Sequence, residues 1–115
     1  MINGGVIFLK YFTMIEINES NFDEVISSNQ LVLVDFWATW CGPCKSLEPV
    51  LKRFSEENEN IFVGKIDVSK NPNLLKKYDV SSVPTLLLFK NNEQVVRHTG
   101  FINATNLKDL INKFS

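Results

Sequence analysis

The fold of this chain is decided by the stretch Val34-Asp35-Phe36-Trp37-Ala38-Thr39-Trp40-Cys41-Gly42-Pro43-Cys44-Lys45. It contains both cysteines of the chain, which are separated by two residues. The pair follows an apolar run from Leu31 to Trp37 and precedes a segment whose apolar residues have helical spacing. A C-x-x-C pair between a buried strand and a helix indicates thiol redox chemistry, whereas two structural cysteines that fall close together are the simpler alternative.

The composition is that of one ordinary globular domain. The chain has 115 residues, of which 44% are hydrophobic and 22% are charged. A formal net charge of −1 provides no attraction to nucleic acid or to an anionic membrane surface. Every apolar run is far shorter than the roughly 20 residues that a membrane-spanning helix needs. We therefore expect neither nucleic acid nor a membrane as a partner.

The first thirteen residues are interpreted as a separate segment. Their apolar stretch from Val6 to Leu9 is interrupted by Lys10, and no small-residue cleavage site follows, which argues against a secretory signal. We expect a flexible N-terminal extension over residues 1–13 and a single domain over residues 14–115. The cysteine usage favours a cytoplasmic protein, because a lone C-x-x-C pair does not resemble a secreted disulfide framework.

Hydrophobic periodicity predicts the element order βαβαβα-ββα. Ser20 and Asn103 are expected to cap the first and last helices, and Pro49 is expected to kink the second. Alternating βα units predict parallel strands with helices on both faces, and a closing hairpin with its turn at Asn91-Asn92 adds antiparallel strands. The strands are predicted at residues 14–17, 31–37, 61–68, 85–90 and 93–99, and the helices after residue 20, from the cysteine pair onward, at 72–78 and after 103.

The predicted position of the two cysteines gives them different roles. Cys41 would lie at the N-terminus of the second helix, where the helix dipole and free backbone N–H groups favour a thiolate and lower its pKa. Cys44 comes one turn later and is expected to be the more enclosed of the two. It would attack the mixed disulfide that Cys41 forms with a substrate. Pro43 suits the first turn of a helix, where its missing N–H is not needed.

Asp35 is the second unusual residue, because it stands alone in an apolar run. Burial of a lone carboxylate raises its pKa. We expect Asp35 to exchange a proton with Cys44, directly or through water, with Lys65 on the neighbouring strand as its charge partner. An exposed aspartate on an edge strand is the alternative. On the second helix, Glu48 and Lys52 are expected to pair on the exposed side.

These residues together resemble the thioredoxin family. The resemblance runs from Met14 to Ser115 and rests on residues 34–45, Pro49, Lys65, Val83-Pro84-Thr85-Leu86 and Gly100. It implies an α/β thioredoxin fold, with a central mixed five-stranded sheet flanked by four helices. It also implies roles for individual residues: Cys41 as nucleophile, Cys44 as resolving thiol, Asp35 as buried acid/base, Lys65 as its neighbour, Pro84 as the family's cis-proline facing the cysteines, Val83 offering its backbone to the substrate, and Trp37 packing under the active-site loop. An apolar docking surface would consist of Trp40, Gly42, Pro43, Val83, Pro84 and Gly100.

The resemblance further implies a general protein-disulfide reductase. The Gly-Pro dipeptide between the cysteines is similar to that of reducing family members. No bound cofactor is implied, because the Cys41–Cys44 disulfide is the redox centre, and electrons would come indirectly from NADPH through thioredoxin reductase. Implied targets include ribonucleotide reductase, peroxiredoxins and methionine sulfoxide reductases. We treat the working form as a monomer, and a symmetric dimer through the apolar active-site face is the alternative. Thr99, before Gly100, is more polar than is usual in the family and predicts altered substrate preference.

Two other classes of protein are considered. A structural zinc site needs four ligands, and the chain offers two cysteines and the distant His98, so a closed site within one chain is not expected. A redox-independent binding module would use the docking surface and not the thiols. The intact cysteine pair beside Asp35 argues against binding as the sole function, although it leaves a second, scaffolding function open.

Overall fold

A computed structural model describes residues 14–114. The predicted flexible extension, residues 1–13, lies outside the described residues. The elements follow the predicted order: β1 Ile15–Glu16, α1 Phe22–Ser28, β2 Leu31–Trp37, α2 Gly42–Glu57, β3 Phe62–Asp67, a 3₁₀ turn Val68–Lys70, α3 Pro72–Lys77, β4 Thr85–Lys90, β5 Glu93–Thr99 and α4 Ala104–Asn112.

The five strands form one mixed sheet in the order β1-β3-β2-β4-β5. β3 runs parallel to both β1 and β2, while β4 is antiparallel to β2 and to β5. β2 is therefore the central strand, and β1 and β5 are the edges. This confirms the predicted mixed sheet of five strands with four helices.

The apolar residues of β2 explain why helices cover both faces of the sheet. Leu31 and Leu33 face a core built with α2 and α4, where Leu51 and Leu107 are fully buried. The alternate residues of β2 face a second core built with α1 and α3. Successive strand residues point to opposite faces, so a nearly continuous apolar strand needs cover on both. Asp35 belongs to the same alternating set as Leu31 and Leu33, and this parity directs it toward α2.

The turn between β4 and β5 confirms the predicted role of its asparagines. Asn91 and Asn92 have φ angles of 50° and 74°. Lys90 pairs with Glu93, so the loop contains two residues, and both occupy the left-handed region that such tight hairpins require. Asparagine tolerates this region better than other residues with a Cβ atom.

The predicted cap of the first helix is corrected. Ser20 is not the N-cap of α1, because the cap position belongs to Asn21 and has no side-chain hydrogen bond. Instead, Oδ1 of Asn18 accepts hydrogen bonds from the backbone N–H groups of Ser20 and Asn21, at 2.9 and 3.0 Å. This local turn competes with capping. On α2, the helix continues through Pro49 from Gly42 to Glu57.

Candidate active site

The two cysteines lie where the central strand passes into the longest helix. Cys41 is the N-cap of α2 and has an extended backbone, and Pro43 occupies the first turn. Cys41 and Cys44 form a disulfide with their Cα atoms 5.3 Å apart, within the usual range for such a bond. The Sγ atom of Cys41 also accepts a hydrogen bond of 3.1 Å from the backbone N–H of Cys44. The helix N-terminus thus directs a backbone donor at the sulfur of Cys41.

The expected difference in enclosure between the cysteines is wrong for this oxidised form. Cys41 and Cys44 are both 4% exposed. They form a small apolar cluster with Ala38, against which Trp37 and Val83 pack. Because the disulfide joins the two sulfurs, the side chain of Cys41 is drawn toward its partner and is covered as well.

Asp35 is buried on the central strand, which excludes the alternative of an exposed edge position. Its side chain is only 3% exposed, and its Oδ1 atom has no hydrogen-bond partner within the described part of the chain. Burial raises the pKa of Asp35 from 3.8 to about 7; the nearby Lys65 opposes this rise, and Glu48 adds to it. The carboxyl group can therefore both accept and donate a proton near neutral pH.

A cavity of about 210 Å³ connects the carboxyl group to the disulfide. Asp35 and Cys44 both line it, together with Trp37, Ala38, Thr39, Lys45 and Glu48. Its volume is sufficient for water, since one molecule occupies about 30 Å³ in the liquid. The structure thus places Asp35 and Cys44 on one cavity with space for water. The proton exchange between them stays a prediction.

Lys65 lies beside Asp35, but its ion pair is with another residue. The two are register partners on β3 and β2. The Nζ atom of Lys65 is 3.2 Å from Oε2 of Glu48 and 4.7 Å from the centre of the Trp37 ring. The prediction that Glu48 pairs with Lys52 is therefore wrong, because Glu48 pairs with Lys65 instead. Glu48 is the residue that sequence reasoning missed, although its position one turn after Cys44 on α2 places it on the helix face of the active site.

The residues predicted for the docking surface come from three parts of the chain, and Pro84 among them is buried. The Val83–Pro84 peptide bond is cis, and Val83 packs against the cysteine cluster. The backbone N–H of Gly100 donates a 2.8 Å hydrogen bond to the carbonyl of Pro84, and Gly100 has a φ angle of 97°. Gly42 and Pro43 are exposed on the first turn of α2. Among large apolar side chains, Trp40 is 75% exposed and Phe101, which the sequence analysis did not single out, is 48% exposed.

The remaining predicted residues lie away from the cysteines or support them. His98 lies on β5, with its Nε2 atom 3.3 Å from the carbonyl oxygen of Phe101. Pro49 is exposed on α2, one turn beyond Cys44. Among residues 14–114, no group of three or more His, Cys, Asp or Glu side chains is placed to hold a metal ion. No helix within this part of the chain has the length and apolar character required to cross a membrane.

Comparison with known proteins places this geometry in a family. The sequence profile of the thioredoxin family matches residues 13–113. Thioredoxin of Buchnera aphidicola subsp. Acyrthosiphon pisum is 42% identical over 102 residues, which cover 87% of this chain and 94% of that protein. The solved structure of a mutant thioredoxin from Halobacterium salinarum has a TM-score of 0.82 at 42% identity, covering 87% of this chain and 88% of that one.

A third relative is a fusion protein. The bifunctional thioredoxin reductase/thioredoxin of Mycobacterium leprae is 47% identical over 88 residues, which cover 75% of this chain and 19% of that longer protein. The matches to the Buchnera and Halobacterium thioredoxins extend over most of both chains, and similarity in sequence and similarity in fold indicate the same family. This chain belongs to the thioredoxin family.

Proposed function

We propose that this protein is a general protein-disulfide reductase in which Cys41 attacks a target disulfide and Cys44 resolves the resulting mixed disulfide. The observation that carries the proposal is the Cys41–Cys44 disulfide at the N-terminus of α2, next to the cavity that also contains Asp35. One target disulfide gains two electrons and two protons and becomes two thiols. The cysteine pair loses the same electrons and protons and becomes the disulfide.

In the first step, the Cys41 thiolate attacks one sulfur of the target disulfide. A bond forms between Cys41 and that sulfur, and the other target sulfur leaves as a thiolate and takes a proton. The Cys44 N–H that donates to the Cys41 sulfur, together with the helix N-terminus, stabilises negative charge at this position. Cys41 is therefore the better attacking group of the pair.

In the second step, the Cys44 thiol transfers its proton to the Asp35 carboxylate through the shared cavity. The Cys44 thiolate then attacks the Cys41 sulfur, the second target sulfur leaves as a thiolate and takes a proton from solvent, and Asp35 releases its proton to solvent. A base with a pKa of about 7 suits this transfer, because it is partly ionised at neutral pH and still has appreciable proton affinity. In the opposite direction, when a reductase opens the disulfide, protonated Asp35 returns the proton to the departing Cys44 thiolate.

The docking surface would receive the target chain around the cysteines. Trp40 is exposed, and Val83 packs against the cluster that contains the two cysteines. Both support this assignment, since apolar side chains around a reactive disulfide favour binding of an extended segment of a target protein. Val83 would offer backbone groups to that segment beside Pro84. Trp37 would support the active-site loop from beneath, and Pro49 is assigned a structural role within α2.

The electron source and the targets follow from family membership. The fused reductase of the Mycobacterium leprae relative supports a thioredoxin reductase as the partner that re-reduces Cys41–Cys44, with NADPH as the source of electrons. Disulfide-containing targets of the family's kind, including ribonucleotide reductase, peroxiredoxins and methionine sulfoxide reductases, complete the proposal. We assign the working domain to residues 14–115 and propose a cytoplasmic monomer.

The test is NADPH-dependent reduction of insulin disulfides in the presence of a thioredoxin reductase. The wild-type chain should support turnover, and Cys41→Ser should abolish it. Cys44→Ser should instead accumulate a mixed disulfide through Cys41, detectable by mass spectrometry of the intact adduct. Asp35→Asn should fold normally and lose the pH dependence of the resolving step. Trapping through Cys44 in the Cys41→Ser variant, with none in Cys44→Ser, would reverse the assigned roles.

A second measurement sets the direction of electron flow. Equilibration of the Cys41–Cys44 pair with glutathione should give a potential near that of reducing thioredoxins, roughly −270 mV, which is a reference value for the family and not a result of this geometry. A potential near that of strong oxidants would make the protein a disulfide donor and would contradict the proposed function.

A further inference from the structure

Glu48 has contacts that neither the family resemblance nor the cysteine chemistry assigns to it. Glu48 lines the cavity shared by Asp35 and Cys44. Oε2 of Glu48 is 3.2 Å from Nζ of Lys65, and the Glu48 side chain is 56% exposed while that of Lys65 is 22% exposed. Glu48 therefore reaches from the solvent side of α2 to the ammonium group that lies nearest to Asp35.

The sheet register places Lys65 directly beside Asp35. One row runs across the sheet from Glu16 on β1 to Lys65, Asp35, Leu86 and His98. Leu86 separates Asp35 from His98, and Glu16 lies on the far side of Lys65. Helix α2 covers the same row and contributes Cys44, Lys45 and Glu48 to the cavity. Among these charged groups, Glu48 forms the ion pair with Lys65.

We propose that Glu48 is a positioning residue for thiol–disulfide exchange, holding the Lys65 ammonium against Glu48 and the Trp37 ring so that it does not pair directly with Asp35. Two contacts fix the ammonium there, the Glu48 carboxylate and the face of the Trp37 ring at 4.7 Å. Asp35 retains an Oδ1 atom without a hydrogen-bond partner among the described residues. The carboxyl group is thus left available to exchange a proton across the cavity. This inference rests on the role proposed above for Asp35.

Without the Glu48 carboxylate, two effects act on Asp35 in the same direction. A negative charge that opposes ionisation of Asp35 disappears, and Lys65 becomes free to turn toward the carboxyl group. Both favour the ionised form and lower the pKa of Asp35 from its value of about 7. A weaker base takes the proton of Cys44 less readily, and a more acidic group is largely unprotonated when the departing Cys44 thiolate needs a proton.

The size of the effect is limited by the exposure of Glu48. An ion pair with one half-exposed partner contributes little to stability, because solvent screens it and two long side chains must be held in place. Glu48 therefore does little for the stability of the fold. Its effect is expected on the proton affinity of a neighbouring buried group, where water does not screen the charge of Lys65 to the same extent.

The test is an NMR titration of the Asp35 side-chain carboxyl carbon in the oxidised protein, which requires no turnover. Glu48→Gln should lower the pKa of Asp35 by roughly 0.5 to 1. Glu16→Gln is the matched control, since it removes the same charge from the other neighbour of Lys65 in the row and should leave the pKa of Asp35 unchanged. An unchanged or raised pKa in Glu48→Gln would overturn the proposal.

A double-variant cycle separates positioning from a direct charge effect. If Glu48 acts by holding Lys65, then Glu48→Gln should lower the pKa of Asp35 by less in a Lys65→Met background than in the wild type. Equal decreases in the two backgrounds would show that the Glu48 charge acts alone, which contradicts a positioning role. Circular dichroism of each variant confirms that the fold is retained.

The same variants separate this inference from the proposed function. In single-turnover reduction of a disulfide peptide, the pH profile of Glu48→Gln should move toward lower pH by as much as the pKa of Asp35 does. Suppose that Glu48→Gln lowers the pKa of Asp35, but that the pH profile of the reaction is unchanged from wild type in both Glu48→Gln and Asp35→Asn. The proton role of Asp35 then fails, although Glu48 still positions Lys65. If the pKa itself does not respond, the inference about Glu48 fails, whatever the profile of Asp35→Asn.

Discussion

Replacing Asp35 by asparagine should stabilise the oxidised protein, and the stabilisation should grow as the pH rises. The asparagine side chain has nearly the same shape as that of aspartate but is neutral at every pH. In the wild type, burial raises the pKa of Asp35 from 3.8 to about 7. The folded state therefore holds a proton over a pH range in which the unfolded chain has already released it.

The sign and the size follow from linkage. Because the folded protein binds more protons than the unfolded chain, the free energy of unfolding falls as the pH rises from about 4 to about 7, and it levels off above that. A difference of about 3 between the two pKa values, at 1.36 kcal/mol for each, gives a total loss on the order of 4 kcal/mol. Roughly 2 kcal/mol of this decrease in the free energy of unfolding falls between about pH 5.5 and about pH 8.

The assay is urea unfolding of oxidised wild-type and Asp35→Asn protein across this pH range. Other titrating groups contribute equally to the two proteins, so the difference between their free energies of unfolding isolates Asp35. We expect this difference to increase by roughly 2 kcal/mol in favour of the variant from about pH 5.5 to about pH 8. A difference that stays constant with pH would refute the reasoning, because it would mean that Asp35 has the same proton affinity in both states.

Three further substitutions test an exposed side chain, a backbone conformation and a core side chain in turn. Trp40→Ala should change stability by no more than about 0.5 kcal/mol, since the side chain is 75% exposed. It should also lower kcat/KM for a protein disulfide at least about fivefold while leaving that for a small aromatic disulfide unchanged. Equal losses on both substrates would contradict a docking role. Gly100→Ala should lower the free energy of unfolding by about 1–2 kcal/mol, because a Cβ meets no atom within 4 Å but the φ angle of 97° disfavours it; unchanged urea midpoints would refute this. Leu107→Ala should cost about 2–5 kcal/mol in the same measurement, since Leu107 is fully buried, and partly buried Leu110→Ala is the milder control.

The order of elements was predictable because the periodicity of this chain agrees with its fold. The apolar run of β2 required cover on both faces, and the two cores provide it. The lone carboxylate of Asp35 within that run indicated a buried acid, and its raised pKa agrees with this. The Asn91-Asn92 turn was likewise predictable from the sequence, because few residue types adopt the left-handed backbone of this turn and asparagine is one of them.

Two of the errors share a physical cause, since each involves a choice between competing partners. Ser20 had the composition of an N-cap, but the side chain of Asn18 bonds the same stretch of backbone. Glu48 had Lys52 at helical spacing, but the β2–β3 register brings Lys65 within 3.2 Å. Sequence spacing reveals neighbours on one helix, whereas a partner from another strand depends on how the elements pack. The pairing of Lys65 was therefore not accessible before the structure.

The edges of the sheet bear on how readily another chain could add a strand to this protein. An unpaired strand edge is a template on which another chain can add by backbone hydrogen bonding. Here one edge, β1, is only 2 residues long, and the other, β5, contains Glu93, Arg97 and His98 and lies beside a register irregularity at Leu88/Phe89. A short edge and a charged, irregular edge both discourage strand addition. Within residues 14–114, strand addition is therefore disfavoured at both edges of the sheet, which leaves the face around the disulfide for the targets that we propose.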